Sequence, residues 1–212
     1  TAAPAAESTA PKTAAKTAPQ ERPSIVASFR QAYRPLHLRD DLKSLPLILV
    51  NWGFLAAMGA TAAISAWFVL AYNDGMAAIP VGQATQAQLE AVVGSNSIPY
   101  FLGTMALQPP PAIGAFLIGF TAKRASWLGG LIYGIFVTVL AVVVLQTDAG
   151  RLLTGDQSMD ALVVGHAAWS PVGAALFAAA AAWYRRFLDL ANPNRQQRGK
   201  VQGRGSTKAK PA

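Results

Sequence analysis

Four long stretches of this chain carry no charged side chain: residues 45–72, 98–122, 126–147 and 161–184. A bilayer core about 30 Å thick takes roughly 20 predominantly apolar helical residues to cross, and each stretch is long enough. Within lipid, every backbone N–H and C=O needs a partner from the protein itself, which leaves helices or closed barrels. The uninterrupted runs fit helices. The sequence therefore predicts an all-α integral membrane protein of four transmembrane helices, spanning those four ranges. Overall charge agrees: 13% of residues are charged, against roughly a quarter in an ordinary globular domain.

Orientation follows from the basic residues. Of the 18 Lys and Arg, all but Arg151 fall in residues 1–44, in the turn at Lys123 and Arg124, or in residues 185–212. Basic segments are retained on the cytoplasmic side. Four spans put all three segments on one side, whereas an odd number would divide them. Both termini are thus expected in the cytoplasm, with the chain in a bacterial plasma membrane or an organellar inner membrane.

The flanking segments differ in kind. Residues 1–23 are rich in Ala, Pro and Thr and read as a disordered tail. They hold Glu7 and Glu21 and no apolar core, so they do not read as a signal peptide. Residues 24–44 read as an amphipathic juxtamembrane segment: Ile25, Phe29 and Tyr33 recur at helical spacing beside Arg30 and Arg34. Such a helix lies either at the membrane interface or on a partner subunit. Within the connector that follows span 1, "TQAQLEAVVG" predicts a short helix capped by Thr85 and ended by Gly94. Residues 185–212 form a basic tail, expected to be disordered, with phosphate-bearing partners in reach: acidic lipid or RNA.

Span 2 contains an obstacle. Pro109, Pro110 and Pro111 are consecutive, and proline has no N–H. In a continuous helix they would strand the carbonyls of Met105, Ala106 and Leu107. The span is therefore expected to break or kink there, against protein or a wet cavity. Span 4 has one proline, Pro171, and a kink is expected there too. Pro109 precedes Arg124, and Pro171 precedes Arg186, by the same interval, so both prolines fall at one depth. The match hints at a duplicated hairpin.

Polar side chains gather in that layer: Thr104, Gln108, His166 and Ser170, beside Pro109, Pro110, Pro111 and Pro171. Two readings compete. One is a polar binding site open to the outer side; the other is local repair of the carbonyls that proline frees. His166 also suggests a haem- or chlorin-type pigment, because an intramembrane histidine is a functional suspect and can ligate iron or magnesium. His166 and Ser170 are spaced i, i+4, but no third group or oxyanion donor accompanies them, so no catalytic site is read. The chain has no cysteine, and no metal cluster is expected.

Small residues repeat at four-residue spacing: Gly130 and Gly134 in span 3, Ala115 and Gly119 in span 2, Gly59 and Ala63 in span 1. Such residues let helices approach closely. Charge-free spans, small-residue faces and long tails make a non-catalytic structural or assembly subunit of a larger membrane complex the leading expectation. The alternative is a small channel or transporter using the polar site at the broken span 2. The third is a haem- or chlorin-binding subunit through His166.

Overall fold

A computed structural model describes residues 24–33, 37–81, 83–94, 96–154 and 157–191; the expected N-terminal tail and all but the first residues of the C-terminal one lie outside these. Among the described residues, regular structure is entirely helical. In chain order the helices are α1 Ile25–Ala32, α2 Leu38–Lys43, α3 Leu45–Leu49, α4 Trp52–Ala77, α5 Gln86–Gly94, α6 Ser97–Leu107, α7 Ala112–Thr121, α8 Ser126–Leu145, α9 Arg151–Thr154 and α10 Met159–Ala191. Three of them (α4, α8 and α10) are long and apolar enough to cross a membrane. The pair α6 and α7 meets the same test together, bent by 61° at the prolines.

The first span is displaced from its expected range. It begins at Trp52 because Asn51 starts a new helix: its Oδ1 accepts the N–H groups of Gly53 (2.9 Å) and Phe54 (3.3 Å). Residues 45–49 become the separate helix α3. At the far end α4 runs through Asp74 and Gly75, residues expected in a connector. Arg151 meets the chain there: its guanidinium donates to the carbonyls of Met76 (3.0 Å), in the last turn of α4, and of Ile79 (2.8 Å) and Pro80 (3.1 Å), just beyond it.

The last span is also longer than expected. α10 continues past Arg185 and Arg186 to Ala191. Here Trp183 stacks on Phe187 (5.8 Å) and meets Phe29 of α1 edge-on (4.6 Å). α1, the first part of the amphipathic segment, thus packs on this chain's own last helix, while Ile25, Val26 and Tyr33 remain exposed. At Pro171 the helix continues without interruption. The two proline sites are unequal because one proline removes a single hydrogen bond, whereas three in succession remove a whole turn of them.

The bundle is organised around α7, which packs on α4, α8 and α10. One core cluster joins Ile48, Phe54, Ala115, Ile118, Leu128, Tyr133, Val137 and Ala174. A second, formed by Phe68, Tyr72, Leu107, Ala141, Val144 and Ala149, lies toward α5 and α9. The end bearing Lys123, Arg124 and Arg185 is called the basic end below; the end bearing α5 and α9 is the connector end. In the connector, Thr85 and Gln88 form a reciprocal cap on α5, with the Thr85 N–H donating to the Gln88 Oε1 at 2.9 Å.

Small residues set the closest helix contacts. A Cβ on Gly130 would press on the Ala174 carbonyl and lie 2.7 Å from the Ala178 Cβ. One on Gly134 would press on the Ser170 carbonyl and lie 2.5 Å from the Pro171 Cα. One on Gly119 would lie 2.7 Å from the Ala178 Cα. Ala115, on the same helix as Gly119, is fully buried. These positions are used within the chain, between α7, α8 and α10. Gly59 is different: a Cβ there meets nothing.

Candidate functional site

The proline break creates a wedge. α7 is held among α4, α8 and α10, whereas α6, turned by 61°, packs chiefly on α4. Gly103 draws α6 onto α4, since a Cβ there would lie 2.6 Å from the Phe68 ring. Tyr72, buried, fixes the start of α6: its hydroxyl donates to the Asn96 carbonyl and accepts the Tyr100 N–H at 3.1 Å. Between α6 and α10 this leaves an open cavity of about 450 Å³ at the connector end.

Thr104, Gln108 and Pro109 line the cavity from α6 and its C-terminus; Gly165 and His166 line it from α10. Gln157, from the segment before α10, closes one side. No charged residue borders it. Four members of the expected polar layer therefore share one cavity. The other four do not border it. Pro110 packs on Gly173, where a Cβ would lie 3.1 Å from the Pro110 Cγ. Pro111 is the buried residue preceding α7. Ser170 and Pro171 face Gly134 of α8 through their backbones.

The side chains of this layer are not occupied with repairing the break. The Thr104 hydroxyl donates to carbonyls within its own helix, those of Tyr100 (2.9 Å) and Phe101 (2.8 Å), above the break. The buried Nδ1 of His166 has no hydrogen-bond partner among the described residues, and neither has the buried hydroxyl of Ser170. His166 is 8% exposed and Ser170 is fully buried. A buried polar atom without a partner costs on the order of 1–3 kcal/mol, and both atoms are closed off from the open space of the cavity.

Several residues that position the site carried no obvious signal in the sequence. Thr138, one turn beyond Gly134 on α8, has its hydroxyl 2.9 Å from the Gly134 carbonyl and 3.1 Å from the His166 carbonyl. It ties α8 to α10 at the level of the histidine. Its place could have been found by extending the Gly130–Gly134 spacing one step to Thr138. On the opposite side of the break, Thr61 and Tyr133 share a hydrogen bond of 2.7 Å beside Gly114 and Pro111. That pair borders a smaller, largely apolar cavity of about 160 Å³.

His37, the other histidine, precedes α2 at the basic end, so the two cannot meet on one iron within this bundle. Among the described residues no group of three His, Cys, Asp or Glu is assembled. Comparison with protein-family models, with curated proteins and with solved structures finds no match for this chain.

Proposed function

We propose that this is a four-span membrane protein that binds a small, uncharged polar solute in the cavity between α6 and α10 and acts as its channel or transporter. The observation that carries this reading is the convergence of Thr104, Gln108 and His166, from two helices, on a cavity with no charged lining. Gln108 offers both an amide donor and an acceptor, and neutral histidine offers one of each. A solute carrying both kinds of group and no net charge matches that lining; an ion would lack a counter-charge.

The expected topology belongs to the same proposal: α6 and α7 as one broken span, both termini on the basic, cytoplasmic side. The absence of cysteine makes labelling of single introduced cysteines free of background. Cysteines at Ser24 and Lys200 should react from one side of sealed vesicles, and one at Thr85 from the other. A re-entrant α6–α7 would place Ser24 and Lys200 on opposite sides. For the solute, liposomes holding the purified protein should swell in iso-osmotic polyols or amides, and Gln108→Leu should abolish swelling without lowering insertion. Absence of flux with the wild type across that panel would remove the reading.

An assembly subunit remains the second reading, supported by Gly59 and Ala63. Both are exposed on α4, with open space where a Gly59 side chain would be. Close approach of a foreign helix would use that face. Cross-linking from Ala63→Cys in the native membrane should capture a partner on this reading and none on the first.

A further inference from the structure

At the basic end, a second cleft has a different chemistry. Because Asn51 starts α4 afresh, α3 is set apart from it, and a cleft of about 610 Å³ opens between α3 and the α7–α8 turn. Its lining runs from Ser44, Leu47 and Ile48 across Asn51 to Lys123 and Arg124. Leu47 is 72% exposed, so one wall is apolar and open. The opposite rim is cationic.

The turn that carries the cations is built with care. Ala122 is extended and Ala125 lies in the left-handed region (φ 46°), which reverses the chain within a few residues. Arg185 holds the turn: it donates to the carbonyls of Phe120 (2.7 Å) and Ala122 (2.8 Å), the open end of α7. Lys123 and Arg124 are left exposed, and neither forms an ion pair among the described residues. Asp41 borders an adjoining pocket with Lys123, Arg124, Arg185 and Arg186. Its Oδ2 accepts the Trp127 Nε1–H at 2.9 Å. Asp41 is the one acid in that pocket's lining, and it is engaged by an indole.

We infer that this cleft is a binding site for an anionic phospholipid, with the phosphate held by Lys123 and Arg124 and an acyl chain laid along Leu47 and Ile48. Charge complementarity selects the headgroup, and the exposed leucine beside the cations selects a ligand that is half hydrocarbon. A soluble anion would use the cations and leave Leu47 in water. The inference rests on the membrane reading above and is independent of the solute site at the connector end.

The test is native mass spectrometry of the full-length protein, released from detergent and titrated with phosphatidylglycerol or phosphatidylcholine. Phosphatidylglycerol should bind selectively. Lys123→Gln with Arg124→Gln should weaken it by about 30-fold, taking roughly 1 kcal/mol per basic residue. Arg198→Gln with Lys200→Gln, the same charge loss in the C-terminal tail, should leave it nearly unchanged. Leu47→Asn should weaken it while both cations stay in place. Equal binding of the two lipids, equal loss in the turn and tail variants, or full displacement by equimolar inorganic phosphate would each overturn the proposal. Carbonate extraction of the protein from phosphatidylcholine liposomes separates the two ideas. Protein released by carbonate refutes the membrane reading itself; retained protein without lipid selectivity refutes only this site.

Discussion

Replacing Gly134 by alanine adds one methyl group where α8 meets α10. That methyl would press on the Ser170 carbonyl oxygen and lie 2.5 Å from the Pro171 Cα and 2.7 Å from the Ser170 carbonyl carbon. All three atoms are backbone, so no side chain can swing aside. Restoring ordinary contact requires the helices to part by about 1 Å, and overpacking of this kind costs typically 1–3 kcal/mol. Against this stands the helix propensity of alanine, favourable over glycine by up to about 1 kcal/mol. Gly59→Ala measures that second effect alone, because nothing surrounds the new methyl. Unfolding by SDS in mixed micelles, followed by far-ultraviolet circular dichroism, should place Gly134→Ala about 1–3 kcal/mol below Gly59→Ala. Equal stability of the two variants would refute the close α8–α10 contact. Gly134→Ala should also disturb the cavity proposed to bind solute, since the displaced segment of α10 leads to His166 within a turn.

Other perturbations separate strong contacts from weak ones. Arg151→Met should destabilise the protein by about 1–3 kcal/mol, because the carbonyls of Met76, Ile79 and Pro80 lose a charged donor. Asp148→Asn should change stability by less than about 0.5 kcal/mol, since the Arg151–Asp148 pair is long at 3.6 Å and Asp148 is 44% exposed. Both are read by the same SDS titration. Asn51→Ala should cost about 1–2 kcal/mol through loss of the α4 cap and of the acceptor for the Thr121 hydroxyl at 2.9 Å. Asn51→Asp keeps both acceptor roles and should recover most of that stability. Tyr133→Phe should cost about 1–2 kcal/mol by leaving the buried Thr61 hydroxyl alone, and Thr61→Val in the same chain should return part of it.

The sequence placed the apolar runs and the break because both are local signals. Absence of charge over a bilayer's length needs no tertiary knowledge, and three missing N–H groups cannot be restored by any partner. Helix ends were harder. The start of α4 turns on a side-chain cap at Asn51, reinforced by Thr121 from another helix. Just beyond its end the chain is held by Arg151, distant in sequence and the one exception to the charge asymmetry, which donates to the carbonyls of Met76, Ile79 and Pro80. Likewise Pro171, equivalent to Pro109 by interval, proved unequal because one lost hydrogen bond is tolerable inside a helix packed on Gly134.

The same distinction bears on the polar layer. Residue types and depth grouped eight positions, but depth alone does not say which way a side chain faces. The 61° bend sorts them: of the eight, only those on the α6 side of the break and His166 of α10 opposite them border the wedge. A helix broken by proline usually has its free backbone groups met by neighbouring polar side chains. Here Thr104 bonds above the break, and the buried Nδ1 of His166 bonds to nothing among the described residues. That arrangement carries an energetic cost within the bundle. A histidine kept only for packing could be replaced by leucine with a gain in stability, since the substitution removes an unpartnered polar atom. If the cavity serves a solute, His166→Leu should therefore stabilise the protein while abolishing flux, a trade-off expected of a site maintained for binding rather than for folding.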